Sequence, residues 1–188
     1  NLEALDDYLK FQFIPDPDTI YDEVYKLEPG CYMTVSFRGE ILSKEEYWTP
    51  NFTVNKSYQQ KHIENEIFNS VKAHLVSDVP FGVLLSGGID STLITMFMAK
   101  ILDQKISAFS IGFEEAEYNE TNYAEIVANK LKIDLHKKII TQKDVNILPE
   151  IILNHIGEPF GDDSILPTSL LMKSARSSVP MVLSGDGG

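Results

Sequence analysis

Residues 81–94, FGVLLSGGIDSTLI, set an apolar run against Ser86, two glycines, Asp90 and Ser91, followed by a second apolar run. Two hydroxyls, a carboxylate and two residues without Cβ at this spacing suit two different tasks. One is a plain strand, tight turn and helix, in which Asp90 or Ser91 is an ordinary cap. The other is a cradle for a phosphate chain. Consecutive N–H groups in a glycine turn make an anion-binding concavity, and the helix start adds the positive end of its dipole. Gly87 and Gly88 would permit positive φ or close approach of a ligand to backbone, and Ser86 and Ser91 would add hydroxyl donors. Asp90 belongs beside a phosphate only if it caps the helix or holds a neutralising cation. The stretch is neither a Walker pattern, since no Gly-Lys-Ser/Thr follows, nor GxGxxG.

Such a loop needs a sheet edge to hold it. After about Asn55 the texture alternates. SYQQKHIENEIFNSVKAHLVS places Ile63, Ile67, Val71 and Leu75 on one helical stripe, with Ser57 as its cap. FGVLLS reads as a buried strand and DSTLITMFMAKIL as a helix, with Met96 and Met98 as core packing. KISAFSIGF is a strand and NETNYAEIVANKLK a helix capped at Asn119 or Glu120. IDLHKKII is a strand, KDVNILPEIILNHI a helix, SLLMKSAR a further helix and PMVLS the last strand. This alternation predicts α/β architecture, with a parallel, doubly wound sheet carrying helices on both faces. Ligands of such sheets collect beyond the carboxyl ends of the strands, where SGGIDS falls. Residues 1–54 differ: a short helix, a turn around Pro15 and Pro17, a second short helical stretch, then a hairpin whose strands meet at Arg38 and Gly39. The expected domains are therefore 1–54 and 55–188.

The totals exclude several classes. Apolar residues make up 43% and charged residues 23%, as in a globular chain, and the net charge is −12. Acid is spread along the chain, and no clustered Lys and Arg supply a nucleic-acid groove. No apolar run is long enough to span a bilayer, and NLEALDDYLKF has neither the basic start nor the apolar core of a signal peptide. The single cysteine, Cys31, excludes an internal disulfide and a CxxC metal site, and fits a reducing, cytoplasmic setting. The first residue is not Met and the last are LSGDGG, so a fragment of a longer protein is expected. Expected partners are small molecules, with no nucleic acid and no membrane, and a homodimer is the one assembly considered.

SGGIDS resembles the pyrophosphate loop of the ATP pyrophosphatases, including GMP, NAD, argininosuccinate and tRNA lysidine synthetases. Three further stretches narrow the resemblance. VLSGDGG is similar to the second nucleotide loop of the glutamine-hydrolysing asparagine synthetase family. YLKFQFIPDPDTIYDEVYKLEPGCYMTV…YW resembles the tail of that family's glutaminase domain, an N-terminal nucleophile hydrolase, and its link to the synthetase domain. FSIGF and YNETNYAEIVANKLKIDLHKKII match the synthetase domain in order and spacing. The resemblance implies a sheet of the adenine-nucleotide α-hydrolase type. It implies ATP and Mg²⁺ as cofactors, with Ser86, Gly87, Gly88, Asp90 and Ser91 around the β- and γ-phosphates and Asp90 reaching the metal. Leu84 and Ile111 would border the adenosine, and Gly112 would let the nucleotide approach. Ser184 and Gly185 would meet the nucleotide from another strand end, and Asp186 is the candidate catalytic group, as base or orienting carboxylate. The implied reaction adenylates the carboxylate of aspartate or a related acceptor, releases pyrophosphate, and amidates with ammonia from glutamine.

Departures from that pattern matter as well. The family's amidotransferase nucleophile is an N-terminal cysteine; Cys31 lies inside a strand and reads as a sheet residue. The Asp-Glu pair that continues the second loop lies beyond Gly188, so these residues alone are expected not to complete synthesis. The family's Thr-Thr and Arg cluster for the acceptor is missing from EPFGDDSILPT, where Asp162 and Asp163 suit a solvated turn or a held amine or metal, and Ser164 and Thr168 are acceptor candidates. His62, His74 and His155 read as surface or satisfied helix positions, His136 as a strand-end residue with a structural place ahead of one near the site, and Arg176 as a solvated helix end. Another pyrophosphatase-loop enzyme and a non-catalytic nucleotide-binding module remain the alternatives.

Overall fold

The computed structural model describes residues 1–52, 59–102, 105–115, 117 and 119–186. They fall into two compact units, one formed by 1–56 with 147–163 and the other by 57–146 with 164–188. The Ser57 cap and the last two glycines lie outside the described residues.

In the first unit, α1 (Leu2–Phe11) is capped by the Asn1 side chain, which accepts from the Ala4 amide at 3.1 Å. The strands β1 (Cys31–Val35) and β2 (Ile41–Glu46) pair antiparallel, Cys31 opposite Glu46, around the Ser36–Gly39 turn. Cys31 is thus a strand residue. The second helical stretch expected after Pro17 does not form. The nearly buried Thr19 hydroxyl donates to the Val24 carbonyl at 2.7 Å, and this side-chain bond folds 19–24 into a turn instead of a helix. The helix expected over 143–156 is also broken. It comprises a 3₁₀ segment (Gln142–Ile147), the four-residue α5 (Leu148–Ile151) and a π turn (Ile152–Ile156), because Pro149 has no N–H to donate backward. The Tyr21 hydroxyl donates to the Gly157 carbonyl at 2.9 Å and Lys26 pairs with Glu158 at 2.7 Å, tying the turn to this segment.

The second unit holds α2 (Gln60–His74), β3 (Phe81–Leu84), α3 (Ile89–Ile101), β4 (Ser107–Phe113), α4 (Thr121–Leu131), β5 (Asp134–Ile140), α6 (Ile165–Arg176) and β6 (Met181–Leu183). The four strands form one parallel sheet in the order β5-β4-β3-β6. Successive strands step outward from β3 to β5, and the chain then returns to lay β6 on the other side of β3. The strand order therefore reverses between β3 and β6, and the carboxyl ends of those strands flank the crevice.

Side-chain alternation along the strands builds two cores. Val83, Leu85 and Ala108 pack with Val71, Phe97, Met98, Ala124 and Ala128 on the face of α2, α3 and α4. Leu84, Phe109 and Val182 pack with Leu171, Ala175 and Val179 on the face of α6. Helices on both faces make this the parallel, doubly wound sheet the sequence predicts. Burying a Leu, Phe or Met fully contributes about 1.5–3 kcal/mol each, so Leu85, Met98 and Phe109 anchor the sheet. Met96, expected beside Met98 in the core, instead faces outward at 38% exposure, because a helical step of two residues moves it to the opposite side. No helix among the described residues is long and apolar enough to cross a membrane.

Candidate functional site

β3 ends at Leu84, and the next turn enters α3 with Gly88 as N-cap. No side chain caps this helix; Asp90 sits in its first turn and makes no hydrogen bond or ion pair among the described residues. The first intrahelical bond is Thr92 N–H to the Gly88 carbonyl at 3.0 Å, so the amides of Ile89, Asp90 and Ser91 have no acceptor within the helix. The turn is held by hydroxyls. Ser86 Oγ and Ser91 Oγ lie 3.0 Å apart, the Gly88 amide donates to Ser86 Oγ at 3.2 Å, and the Ser86 amide donates to Ser91 Oγ at 3.3 Å. Ser86, Gly88 and Asp90 are exposed, so the bend is open to solvent and not packed inside the protein.

Gly87 explains why the turn needs its first glycine. Its φ is +88°, and a Cβ there would lie 2.4 Å from Tyr123 Cβ and 2.7 Å from the Ala124 amide nitrogen. The loop therefore rests on the first turn of α4. Gly88 has φ −66°, and a Cβ on it would meet only Ser86 Oγ at 3.4 Å. Of the two glycines, one faces the protein and one faces the opening.

β6 brings the second loop to the same place. The Ser184 hydroxyl donates to Asp186 Oδ2 at 2.9 Å and accepts from the Asp186 amide at 3.3 Å. That pair of bonds fixes the carboxylate within the second loop. A Cβ on Gly185 would lie 2.7 Å from the Ser91 nitrogen and 2.9 Å from the Asp90 carbonyl carbon.

Together these loops bound a cleft of about 580 Å³. Ser86, Gly88, Asp90 and Ser91 form its floor at α3, and Ser184, Gly185 and Asp186 one side. Leu84, Ile111, Phe113, Pro167 and Leu171 form an apolar slot, and Ser110, Glu117, Glu120 and Thr168 add polar groups. This volume lies within the roughly 300–1,000 Å³ of small-molecule sites. Four carboxylates line the cleft (Asp90, Glu117, Glu120 and Asp186) and no Lys, Arg or His does among the described residues. No cluster of three or more His, Cys, Asp or Glu could hold a metal among the described residues.

Of the site residues expected from sequence, Gly87 and Gly112 stand outside the lining. Gly112 faces α4: a Cβ would lie 2.5 Å from Asn119 Oδ1 and 2.7 Å from Thr121 Cγ2. Asn119 Oδ1 accepts from the Thr121 amide at 3.1 Å and from its hydroxyl at 2.7 Å, so the space beside Gly112 is filled by the start of α4. His136 is the third residue of β5 and stacks on Phe109, ring centroids 5.1 Å apart, away from the cleft. Thr168 lines the cleft, whereas Asp162 and Asp163 line a separate hollow of the first unit with Phe11, Phe13 and Phe160. Glu117 and Glu120 escaped the sequence reading. Their signal was their place just after β4, whose carboxyl end shares an edge with β3.

Comparison with known proteins agrees with these loops. A family model described as Asparagine synthase matches residues 62–188, which contain both. Asparagine synthetase [glutamine-hydrolyzing] 1 of Bacillus subtilis (strain 168) is 36% identical over 98% of this chain and 29% of its own length. Putative asparagine synthetase [glutamine-hydrolyzing] 2 of Methanocaldococcus jannaschii is 36% identical over 100% of this chain and 37% of its own length. An NH3-dependent NAD synthetase from Campylobacter jejuni superposes with TM-score 0.43 at 17% identity, over 66% of this chain and 56% of that one. The chain spans about a third of the length of the curated relatives it matches. With its family region covering both cleft loops, the chain belongs to the asparagine synthase family.

Proposed function

We propose that residues 55–188 carry the ATP-binding, carboxylate-adenylating part of a glutamine-hydrolysing asparagine synthetase, and that residues 1–54 are the end of its glutaminase domain. The observation that supports this most is the meeting of two loops at the sheet's reversal point, where Asp90 and Ser91, at the start of α3 with amides that have no acceptor within the helix, line a cleft. The β- and γ-phosphates lie against the amides of residues 89–91 and the hydroxyls of Ser86 and Ser91. The adenosine lies toward the slot of Leu84 and Ile111, with Ser184 and Gly185 closing its other side.

Four carboxylates would repel a triphosphate, so the lining fits ATP only with a cation, and the unpartnered Asp90 carboxylate beside the amides is the group to hold Mg²⁺. Bound there, Mg²⁺ supplies positive charge to the phosphate chain. The chain's own part is positional. In the reaction, a carboxylate oxygen of the acceptor attacks the α-phosphorus and pyrophosphate departs; the α3 amides, fixed before the reaction, stabilise the charge that builds on it. Ammonia then displaces AMP from the acyl-adenylate. The hydroxyl-anchored Asp186 carboxylate is placed to orient the acceptor or take a proton from the attacking amine. The acceptor is aspartate or a related carboxylate, and the full reaction belongs to the whole protein.

Calorimetric titration of ATP with and without Mg²⁺ tests the reading. ATP is expected to bind only with Mg²⁺, and Asp90→Ala is expected to weaken binding roughly tenfold or more. Affinity that ignores both the metal and the Asp90 carboxylate would overturn it.

A further inference from the structure

Residues 147–163 lie in sequence between β5 and α6, both of the second unit, yet they fold with residues 1–56. Bonds from the stretch 12–26 hold them there. The Lys26 ammonium donates to the Ile14 carbonyl at 2.8 Å and pairs with Glu158 Oε1 at 2.7 Å. The side chains of Lys26 and Glu158 are 30% and 21% exposed, so the pair is half-buried. Water and salt weaken such a pair less than a fully solvated one, and removing one partner strands the other. The Tyr21 hydroxyl donates to the Gly157 carbonyl at 2.9 Å, and the Gly161 amide donates to the Gln12 carbonyl at 2.7 Å. A Cβ on Gly161 would lie 2.8 Å from Gln12 Cβ, so this contact needs the glycine. The stretch 12–26 is itself braced, the Lys26 amide donating to the Pro17 carbonyl at 2.7 Å and the Thr19 hydroxyl to the Val24 carbonyl.

Gln12, Tyr21, Lys26, Glu158 and Gly161 do not line the nucleotide cleft, and the proposed reaction makes no use of them. Their link to it runs along the chain. Gly161 stands four residues before Ile165, the buried first residue of α6, and Pro167 and Thr168 of that helix line the cleft. The Thr168 amide donates to the Ser164 carbonyl at 2.9 Å, which closes the first turn of α6 on the same short tether. Four residues span at most about 14 Å, so the hold on Gly161 limits where α6 can begin.

We propose that Gln12, Tyr21 and Lys26 form a clasp on residues 157–161 that positions the segment leading into α6, so that a closed clasp and a filled nucleotide cleft favour each other. Lys26 and Glu158 are positioning residues in it. This rests on the proposed nucleotide site and adds a control on that site from the end of the proposed glutaminase domain. The effect is reciprocal: whatever factor the clasp adds to nucleotide affinity, bound nucleotide adds to closure of the clasp.

Calorimetry on the 188-residue chain with Mg²⁺ and either ATP or pyrophosphate tests this. Pyrophosphate asks only for the loop at 86–91, whereas ATP also needs the wall that carries Pro167 and Thr168. Lys26→Met and Glu158→Gln are each expected to weaken ATP binding about fivefold or more, the lower end of coupling between sites, and to leave pyrophosphate binding unchanged. The double variant should bind ATP no more weakly than the poorer single variant, because the two residues act as a pair. Lys26→Arg, which keeps the charge, should bind ATP as the wild type does. Saturating Mg²⁺ and ATP should also slow amide exchange at Gly161 in the wild type and not in Lys26→Met.

Unchanged ATP affinity in Lys26→Met would overturn the inference and leave the nucleotide site standing. So would an equal loss for ATP and pyrophosphate, which marks general loosening, or losses that add in the double variant. Exchange at Gly161 that ignores nucleotide in the wild type would overturn it too. Failure of the wild-type chain to bind ATP would overturn the nucleotide site itself, and this inference with it.

Discussion

Gly185 presses its bare Cα against the start of α3, so close that a Cβ would lie 2.7 Å from the Ser91 amide nitrogen. The two loops of the cleft are therefore one packed assembly, and neither can shift alone. Gly185→Ala must push the second loop off the helix start or tilt the helix. Overpacking of this kind costs about 1–3 kcal/mol. Nucleotide affinity is expected to fall more than stability suggests, because the displaced amide belongs to the cradle. A variant that melts lower yet binds Mg²⁺-ATP normally would show that the loops are independent.

The two glycines of the turn should respond differently. Gly87→Ala combines positive φ with a Cβ 2.4 Å from Tyr123 Cβ, and is expected to destabilise by about 2–4 kcal/mol. That corresponds to roughly 5–15 °C in melting temperature for a domain of this size. Gly88→Ala meets only Ser86 Oγ, at 3.4 Å, with an ordinary φ, so its fold should survive within about 1 kcal/mol while its new methyl intrudes on the opening. Thermal melts paired with ATP titrations check both. Equal destabilisation by the two substitutions would contradict the arrangement.

Much of this site was legible in the sequence because its parts are local. The apolar runs FGVL and SAFSIGF could only be buried strands, and the glycine turn between FGVL and the helix marked the sheet edge. The hairpin followed from Arg38 and Gly39 for the same reason. What was not legible depends on strand order. Glu117 and Glu120 become site residues only because β4 lies next to β3, and the alternation of β4 turns Gly112 to the α4 face, where Asn119 fills the space beside it. The expected helix after Pro17 failed through the Thr19 hydroxyl, a tertiary preference that periodicity does not carry. The helix expected over 143–156 is interrupted at Pro149, whose missing N–H is a signal the sequence itself carries.

Acid sensitivity is expected after β5. The Thr141 amide and hydroxyl donate to Asp144 Oδ2 at 2.8 and 2.9 Å, and the amide bond foremost, helped by Lys138, holds this carboxyl below its ordinary 3.8. A depressed folded-state value favours the folded protein at every pH above 3.8, and the contribution fades as pH falls from there through the lower value. Asp144→Ala should therefore lower the urea midpoint near neutral pH, and the gap from wild type should narrow in acid below 3.8. A gap that stays constant across that range would contradict the charge-assisted bond.

The proposed nucleotide site requires amides at the start of α3 to receive a phosphate chain, and magnesium pyrophosphate is the smallest ligand that asks only this. Amide proton–nitrogen spectra of the chain titrated with it should show saturable shifts at residues 86–91, extending to 184–186, with other amides of the sheet little moved. Shifts elsewhere with residues 86–91 unmoved, or no saturable change at all, would contradict it.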